Sequence, residues 1–499
     1  MGNDFTAAVS QATADVEDLV RGDGKGEIAG AIDVPDEGCN DTANGNRFIR
    51  LYGDRVRYCA VEGQFYVYGG VLWAADDRLL VQDWMKLAML TIFDDAAKAS
   101  GESEARALGK WGTHSLSAAA RKAALECAKS DPRLAVRPAE FDCDGMLLNV
   151  CNGTIDLTSG ELRPHDSRDL IRKVTAAAYD PDAVSELWQL VLDDATGGDK
   201  AYQTHLQRAF GYALTASTVE EVAFNAVGPT ETIKSTIVGA VRNTLKDYAA
   251  DVQPDTFLKG RNVGSTRDDL LRLEGVRLAV IPEADRGTRM HEGLLKAFVT
   301  GEPLTVRGLY QRDREIHPTA KLVMHTNFLP RMSDDDDAIW RRVIVWPFEH
   351  RPERPDPKVK AELHDAAESG AAILAWLVAG CLAWQRDGLG TPPLVREATL
   401  GMRLSMDPLA DFFDECCVFE SAWTPNTQIR AAYETWAREY RHARVSAKEM
   451  AKRLAARGCE PSKRNHVRGW TGVSIASAEA VEVPFGDGSG TDARGYGDG

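Results

Sequence analysis

The feature that most constrains this chain is an apolar run, Val222-Ala223-Phe224-Asn225-Ala226-Val227. It enters a tight loop, Gly228-Pro229-Thr230-Glu231-Thr232-Ile233, and leaves it at Lys234-Ser235-Thr236. A strand that turns sharply into a helix opening on Lys-Ser-Thr is the context a phosphate-binding loop requires. Loop N–H groups and the positive end of the helix would face an anion. Lys234 would reach the β and γ oxygens of a nucleotide, and the Ser235 hydroxyl would ligate Mg²⁺. Expected nucleotide contacts therefore run from Gly228 through Pro229, Thr230, Glu231, Thr232, Ile233, Lys234 and Ser235 to Thr236. One position departs from the pattern, because Ile233 stands where glycine normally precedes the lysine. A β-branched residue resists positive φ, so about 1–3 kcal/mol of local strain and weakened nucleotide binding are expected. Alone, the segment could also be an ordinary strand–turn–helix.

Segments further along the chain bear on that choice. Arg277-Leu278-Ala279-Val280-Ile281-Pro282-Glu283 is an apolar strand ending on an acid. A carboxylate at the end of a strand beside a phosphate loop can orient water or hold Mg²⁺. Glu283 is expected in both roles, with Asp285 in reserve as a metal ligand; a solvated acid after a buried strand is the plain alternative. Lys321-Leu322-Val323-Met324-His325-Thr326 ends on Asn327, whose amide could sense a γ-phosphate or the lytic water. Arg341 and Arg342 stand just ahead of another strand, Val343 to Phe348, where an arginine can stabilise transition-state charge in a neighbouring subunit. The acidic run Asp334 to Asp337 reads as a solvated loop rather than a metal site.

Composition sets the outer limits. The 499 residues allow two to four domains, and a net charge of −16 excludes a protein coated in nucleic acid over its whole surface, though not local basic patches. Nine cysteines show no Cys-x-x-Cys pair and no zinc-ligand spacing, which reads as reduced thiols of a cytoplasmic protein. The longest uncharged run, Gly370 to Trp384, is too short to span a bilayer and reads as a buried helix. A soluble protein without membrane partners is expected.

Along the chain, residues 1–44 form an expected flexible leader and 45–200 an α+β unit. Its strands are expected at Arg55–Val61, Gln64–Tyr68, Val71–Trp73 and Leu147–Leu162, with a helix over Val81–Asp95. Residues 201–355 alternate strand and helix, as a parallel α/β sheet does. Residues 356–404 read as a helical linker, 405–478 as a smaller unit and 479–499 as a disordered tail.

The order of these motifs resembles the superfamily 3 helicase domain of phage and plasmid primase-helicases, a family that includes the poxvirus primase-helicase. Similar stretches are Gly211-Tyr212-Ala213-Leu214-Thr215, Lys246-Asp247-Tyr248-Ala249, the strand ending at Glu283, Leu294-Leu295-Lys296, Thr300-Gly301-Glu302 and Arg307-Gly308-Leu309-Tyr310. The strand ending at Asn327 and Trp340-Arg341-Arg342 continue the series, and Leu148 to Leu157 and Tyr179-Asp180-Pro181 flank it. The resemblance implies an AAA+-type P-loop core using ATP and Mg²⁺, assembled as a hexameric ring around DNA. It implies Arg341 or Arg342 acting in trans, Arg342 matching better, and DNA contacts at Lys296, Arg307, Arg312 and Arg314. Two departures are Ile233 and the lack of a recognisable catalytic primase domain over residues 1–140, so a separate priming partner is expected.

From Gln428 to Gly469, eleven Lys and Arg face four Glu, against the acidic balance of the whole chain. Helices followed by a short strand pair with this basic character suit a winged-helix DNA-binding module. Tyr433, Trp436 and Tyr440, at helical spacing, read as core. The leading expectation is an ATP-driven DNA helicase of a phage, prophage or plasmid-like element. The alternative is a hydrolysis-impaired DNA-binding or scaffolding protein of the same fold; an unrelated kinase or GTPase has no supporting motif.

Overall fold

A computed structural model describes residues 38–258, 268–283, 288–306, 314–332, 336–352, 356–406, 409–439 and 445–476. The expected tail and most of the expected leader lie outside these residues. Asn40 accepts a hydrogen bond from the Ala43 N–H and starts the helix Asp41–Tyr52, so the first helix begins inside the segment read as leader. An antiparallel sheet follows, of strands Val56–Cys59, Gln64–Tyr68 and Trp73–Ala75. Its third strand lies later than the Val71–Trp73 expected. The helix Leu80–Lys98 buries Val81, Met85, Ala88, Met89 and Ile92. A second small sheet comprises Leu147–Val150, Gly153–Asp156 and Glu161–Arg163.

The centre of the molecule is a parallel sheet of β1 (Ala223–Val227), β2 (Ala249–Asp251), β3 (Leu278–Ile281), β4 (Lys321–Thr326) and β5 (Val343–Pro347), in spatial order β5-β1-β4-β3-β2. Alternate residues feed two cores. Phe224, Ala226, Val280, Val323, Ile344 and Trp346 pack on one face, and Ala223, Ala279, Ile281, Leu322, Met324 and Val345 on the other. Cover on both faces explains why these strands read as continuous apolar runs rather than alternating ones. Helices α1 (Glu186–Thr196), α2 (Lys200–Tyr212), α3 (Lys234–Leu245), α4 (Pro357–His364) and α5 (Gly370–Asp387) flank the sheet. Burial of Ile373, Leu374, Leu377, Val378 and Cys381 matches the expected internal helix at α5. It lies so close to α2 that a Cβ on Gly211 would sit 2.2 Å from the Cys381 nitrogen. Among the described residues, no helix is long and apolar enough to cross a membrane.

β1 sits inside the sheet, with the chain leaving toward β2 on one side and returning as β5 on the other. Ligands of open parallel sheets gather outside the carboxyl ends of strands at such reversals. The loop after β1 is therefore where topology alone would look.

The C-terminal unit places a three-stranded sheet, in order Trp423–Pro425, Val467–Thr471, Glu460–Arg464, beside the helices Asn426–Glu439 and Ala447–Ala456. Its core buries Tyr433 and Trp436, as the stripe reading expects. Tyr440 lies outside the described residues.

Candidate functional site

Gly228 follows β1 in a position only glycine can hold, since a Cβ there would lie 1.9 Å from the Phe348 carbonyl oxygen. The loop then turns through Glu231 at φ +67°, and Ile233 has φ −76° and ψ 4°. This corrects the strain expected at Ile233. The left-handed residue is Glu231, two positions earlier, while Ile233 is buried in the core beneath the loop at 8% exposure. The isoleucine is thus a packing residue with ordinary torsions. The strain belongs to an exposed glutamate, and αL costs a non-glycine residue about 1–2 kcal/mol.

Lys234 opens α3 with its side chain buried against the loop. Its ammonium donates to the Gly228 carbonyl at 3.0 Å, the Pro229 carbonyl at 2.8 Å and Asn327 Oδ1 at 2.8 Å. Asn327, just past β4, donates from Nδ2 to Glu283 Oε1 at 2.5 Å. Three groups drawn from the ends of three strands thus form one chain, Lys234–Asn327–Glu283. Burial lowers the Lys234 pKa, opposed by the negative charge of Glu283. Burial also lowers that of His325 on β4, helped by Lys234.

These groups border a cavity of about 510 Å³, within the range of roughly 300–1,000 Å³ usual for small-molecule sites. Thr230 through Thr236, Glu283, His325 and Asn327 line one side. The other side comes from elements the sequence reading did not connect with the loop: Leu190, Val191 and Asp194 of α1, Pro352, and Asp356, Val359 and Lys360 at α4. Leu190 is 55% exposed despite being apolar, and no local sequence pattern ties it to the loop.

Gly228, Pro229, Thr230, Glu231, Thr232, Ile233, Lys234, Ser235, Thr236, Glu283 and Asn327 are thus in or around one place. The remaining expected site residues are elsewhere. Arg341 and Arg342 precede β5 and so stand at the opposite edge of the sheet, a strand length of roughly 16 Å away at about 3.3 Å per residue. Arg342 is buried, donating to the Ala338 carbonyl and to Glu221, each at 2.9 Å, whereas Arg341 is exposed. Neither faces the cavity of its own chain. Lys296 is ion-paired with Asp336, and Arg314 with Glu274 at 2.7 Å. Asp285, Arg307 and Arg312 lie outside the described residues.

Residues 45–197 match a family described as D5 N terminal like, and residues 226–342 match a family of unknown function, DUF5906. A putative helicase of Acanthamoeba polyphaga mimivirus is 23% identical over 301 residues, which is 56% of this chain and 31% of that protein. A putative helicase of Frog virus 3 is 31% identical over 177 residues, covering 32% of this chain and 18% of that protein. A third, of Invertebrate iridescent virus 3, is 25% identical over 314 residues, 55% of this chain and 33% of that protein. The chain thus spans a third or less of the length of these curated relatives. Among solved structures, the apo NrS-1 C-terminal region aligns at a TM-score of 0.48 and 10% identity, over 85% of this chain and 98% of that one.

Proposed function

We propose, from the likeness of this chain to putative helicases of large DNA viruses, that it is an ATP-dependent DNA translocase of the primase-helicase kind whose nucleotide site is the cavity at the end of β1. The observation that carries this reading is the Lys234–Asn327–Glu283 chain, which joins a loop lysine to a carboxylate through an amide at the edge of that cavity. A polyanion entering the cavity offers Lys234 stronger, charge-assisted acceptors than the two carbonyls it now holds. As the lysine turns to the phosphates, Asn327 loses one partner and can turn toward the γ-phosphate, leaving Glu283 to accept a proton from attacking water. The residues fit a divalent ion, because the Ser235 hydroxyl and the Glu283 carboxylate border the same cavity and offer it hard oxygen ligands. Mg²⁺ held there would supply charge neutralisation at the phosphate oxygens.

In this reading the subunits form a ring, and an arginine of the next subunit completes the site. The position of Arg341 and Arg342 at the far edge of the sheet supports action in trans. Arg341 is free to reach out, while Arg342 would first have to leave Glu221. DNA contacts are assigned to Lys296 and Arg314, with Arg307 and Arg312, and to the C-terminal unit as a winged-helix-like module. There Lys448 and Lys452 lie on the helix Ala447–Ala456, and Lys463, Arg464 and Arg468 on the adjoining hairpin. Priming falls to a separate protein. Within this scheme residues 45–200, 201–355 and 405–478 act as N-terminal, motor and DNA-binding units, with 356–404 between the last two.

A second reading, a hydrolysis-impaired DNA-binding or scaffolding protein, is favoured by one observation. Glu231 puts a carboxylate in the loop that must receive phosphates. Steady-state ATP hydrolysis with and without single-stranded DNA separates the two. DNA-stimulated turnover that disappears in Glu283→Gln is the expected result, ATP binding without turnover would favour the second reading, and no ATP binding would remove the assignment of the cavity as a nucleotide site.

A further inference from the structure

The N-terminal unit holds another concavity, of about 560 Å³, between the turn at Gly63 to Phe65, the segment Asp76 to Gln82 and the helix Ala118–Ala128. Its wall is apolar at Phe65, Val81 and Leu125, and three cations, Arg121, Lys122 and Lys129, border it. The acids beside them are already engaged. Asp76 accepts the Leu80 and Val81 N–H groups at 2.7 and 2.9 Å, and Glu126 pairs with Lys129 at 2.8 Å. Arg121 and Lys122 have no ion-pair partner among the described residues, and the Nε of Arg121 is buried without an acceptor. A buried donor left unpaired destabilises the fold, and a turn of the Arg121 side chain toward the groove would bring it to an anionic oxygen there.

Two further features point to a ligand with flat faces as well as charge. Phe65 packs against Tyr58 with ring centroids 4.7 Å apart, and the Lys129 ammonium lies 5.7 Å from the Phe65 ring. At the rim, Leu79 has φ 60° and ψ 33°, yet its apolar side chain is 57% exposed. The turn lets Asp76 cap the helix Leu80–Lys98 and leaves this apolar side chain displayed beside the groove.

We propose that this groove binds a single DNA strand, with Arg121 and Lys122 on phosphates and Phe65 and Leu79 against bases. Stacking surfaces beside free cations are the chemistry of single-strand recognition. An acidic peptide would use the cations but leave the aromatic wall without a planar partner. The choice of DNA rests on the translocase reading; the free cations and the wall do not.

The test uses the full chain, without nucleotide, and a fluorescein-labelled oligothymidylate followed by anisotropy across a salt series. Arg121→Gln with Lys122→Ala should weaken binding about tenfold and flatten the log–log salt slope by about 1.4, two phosphates at about 0.7 each. Arg121→Lys, which keeps the charge, should retain most of the affinity and guards against a folding artefact. An iodouracil-substituted strand should cross-link to the peptide bearing Phe65. Unchanged affinity and slope in the double variant, adducts confined to other peptides, or equal displacement of the strand by polyglutamate would each overturn the proposal. Lys234→Ala should leave this binding intact while losing ATP, so the groove and the nucleotide site can fail separately.

Discussion

The two ends of the central sheet both hold buried cations, and they use them in opposite ways. Where β3 and β4 begin, Arg277 donates to the Leu214 carbonyl at 2.6 Å and the Leu147 carbonyl at 2.7 Å, and Lys321 donates to the Thr215 and Thr319 carbonyls. Arg277 also lies 4.6 Å over the Tyr248 ring, and neither residue borders the cavity at the other end. Where the strands end, Lys234 holds two carbonyls as well, but beside open space and linked to a carboxylate. Burial depresses the pKa of all three, far more for Lys321 than for Lys234. A perturbed cation is therefore no mark of a site in itself. What separates the ends is whether its partners can be exchanged for a ligand.

The widest separation should come from Arg277→Ala. Orphaned carbonyls and a lost aromatic contact should lower stability by about 3 kcal/mol or more, read from the denaturant midpoint, with ATP affinity of the folded protein unchanged. A loss of affinity without destabilisation would break the comparison.

His205 sharpens it with pH. Its Nδ1 faces the Leu389 carbonyl at 3.0 Å and its Nε2 accepts from the Trp346 indole at 3.0 Å, an arrangement only the neutral ring satisfies. Burial pushes its pKa down to about 4 from the ordinary 6.5. The unfolded chain then binds the extra proton first, so stability from this group is complete above pH 6.5 and falls away as pH drops toward 4. The loss is on the order of 3 kcal/mol at about 1.4 kcal/mol per unit. Unfolding midpoints across that range should show it, and His205→Gln should be less stable at neutral pH but without this acid sensitivity.

At the loop itself two substitutions divide packing from strain. Ile233→Gly should cost about 2–3 kcal/mol through the cavity it leaves, with no gain in nucleotide affinity, because its φ is already negative. Glu231→Gly should stabilise by about 1 kcal/mol and tighten ATP binding severalfold by removing a carboxylate from the phosphates' path. Thermal melts and nucleotide titrations on both variants would reverse this assignment if only the position-233 variant gained affinity.

These residues also show how far the chain could be read unaided. The strands ending at Val227, Ile281 and Thr326 were legible because burial on both faces leaves uninterrupted apolar runs, and Lys234, Glu283 and Asn327 because each stands where such a run stops. The torsion at Ile233 was misread because a motif carries over positions, whereas the backbone answers to contacts such as Phe348 against Gly228. Arg277 and Lys321 pass for solvated strand starts until the Leu147 and Thr215 carbonyls are brought to them across the fold. The cavity's second wall, from Leu190 to Lys360, joins segments over a hundred residues apart, and no local pattern connects them.

The central claim is that the Lys234 end of the sheet holds a nucleotide. It is tested most directly by titrating fluorescent ATP into the native protein and Lys234→Ala, with melting temperatures measured alongside. The account predicts saturable binding in the native protein, weakened at least about a hundredfold in the variant (about 2.7 kcal/mol or more) with an unchanged melt. Equal affinity in the two proteins would contradict it.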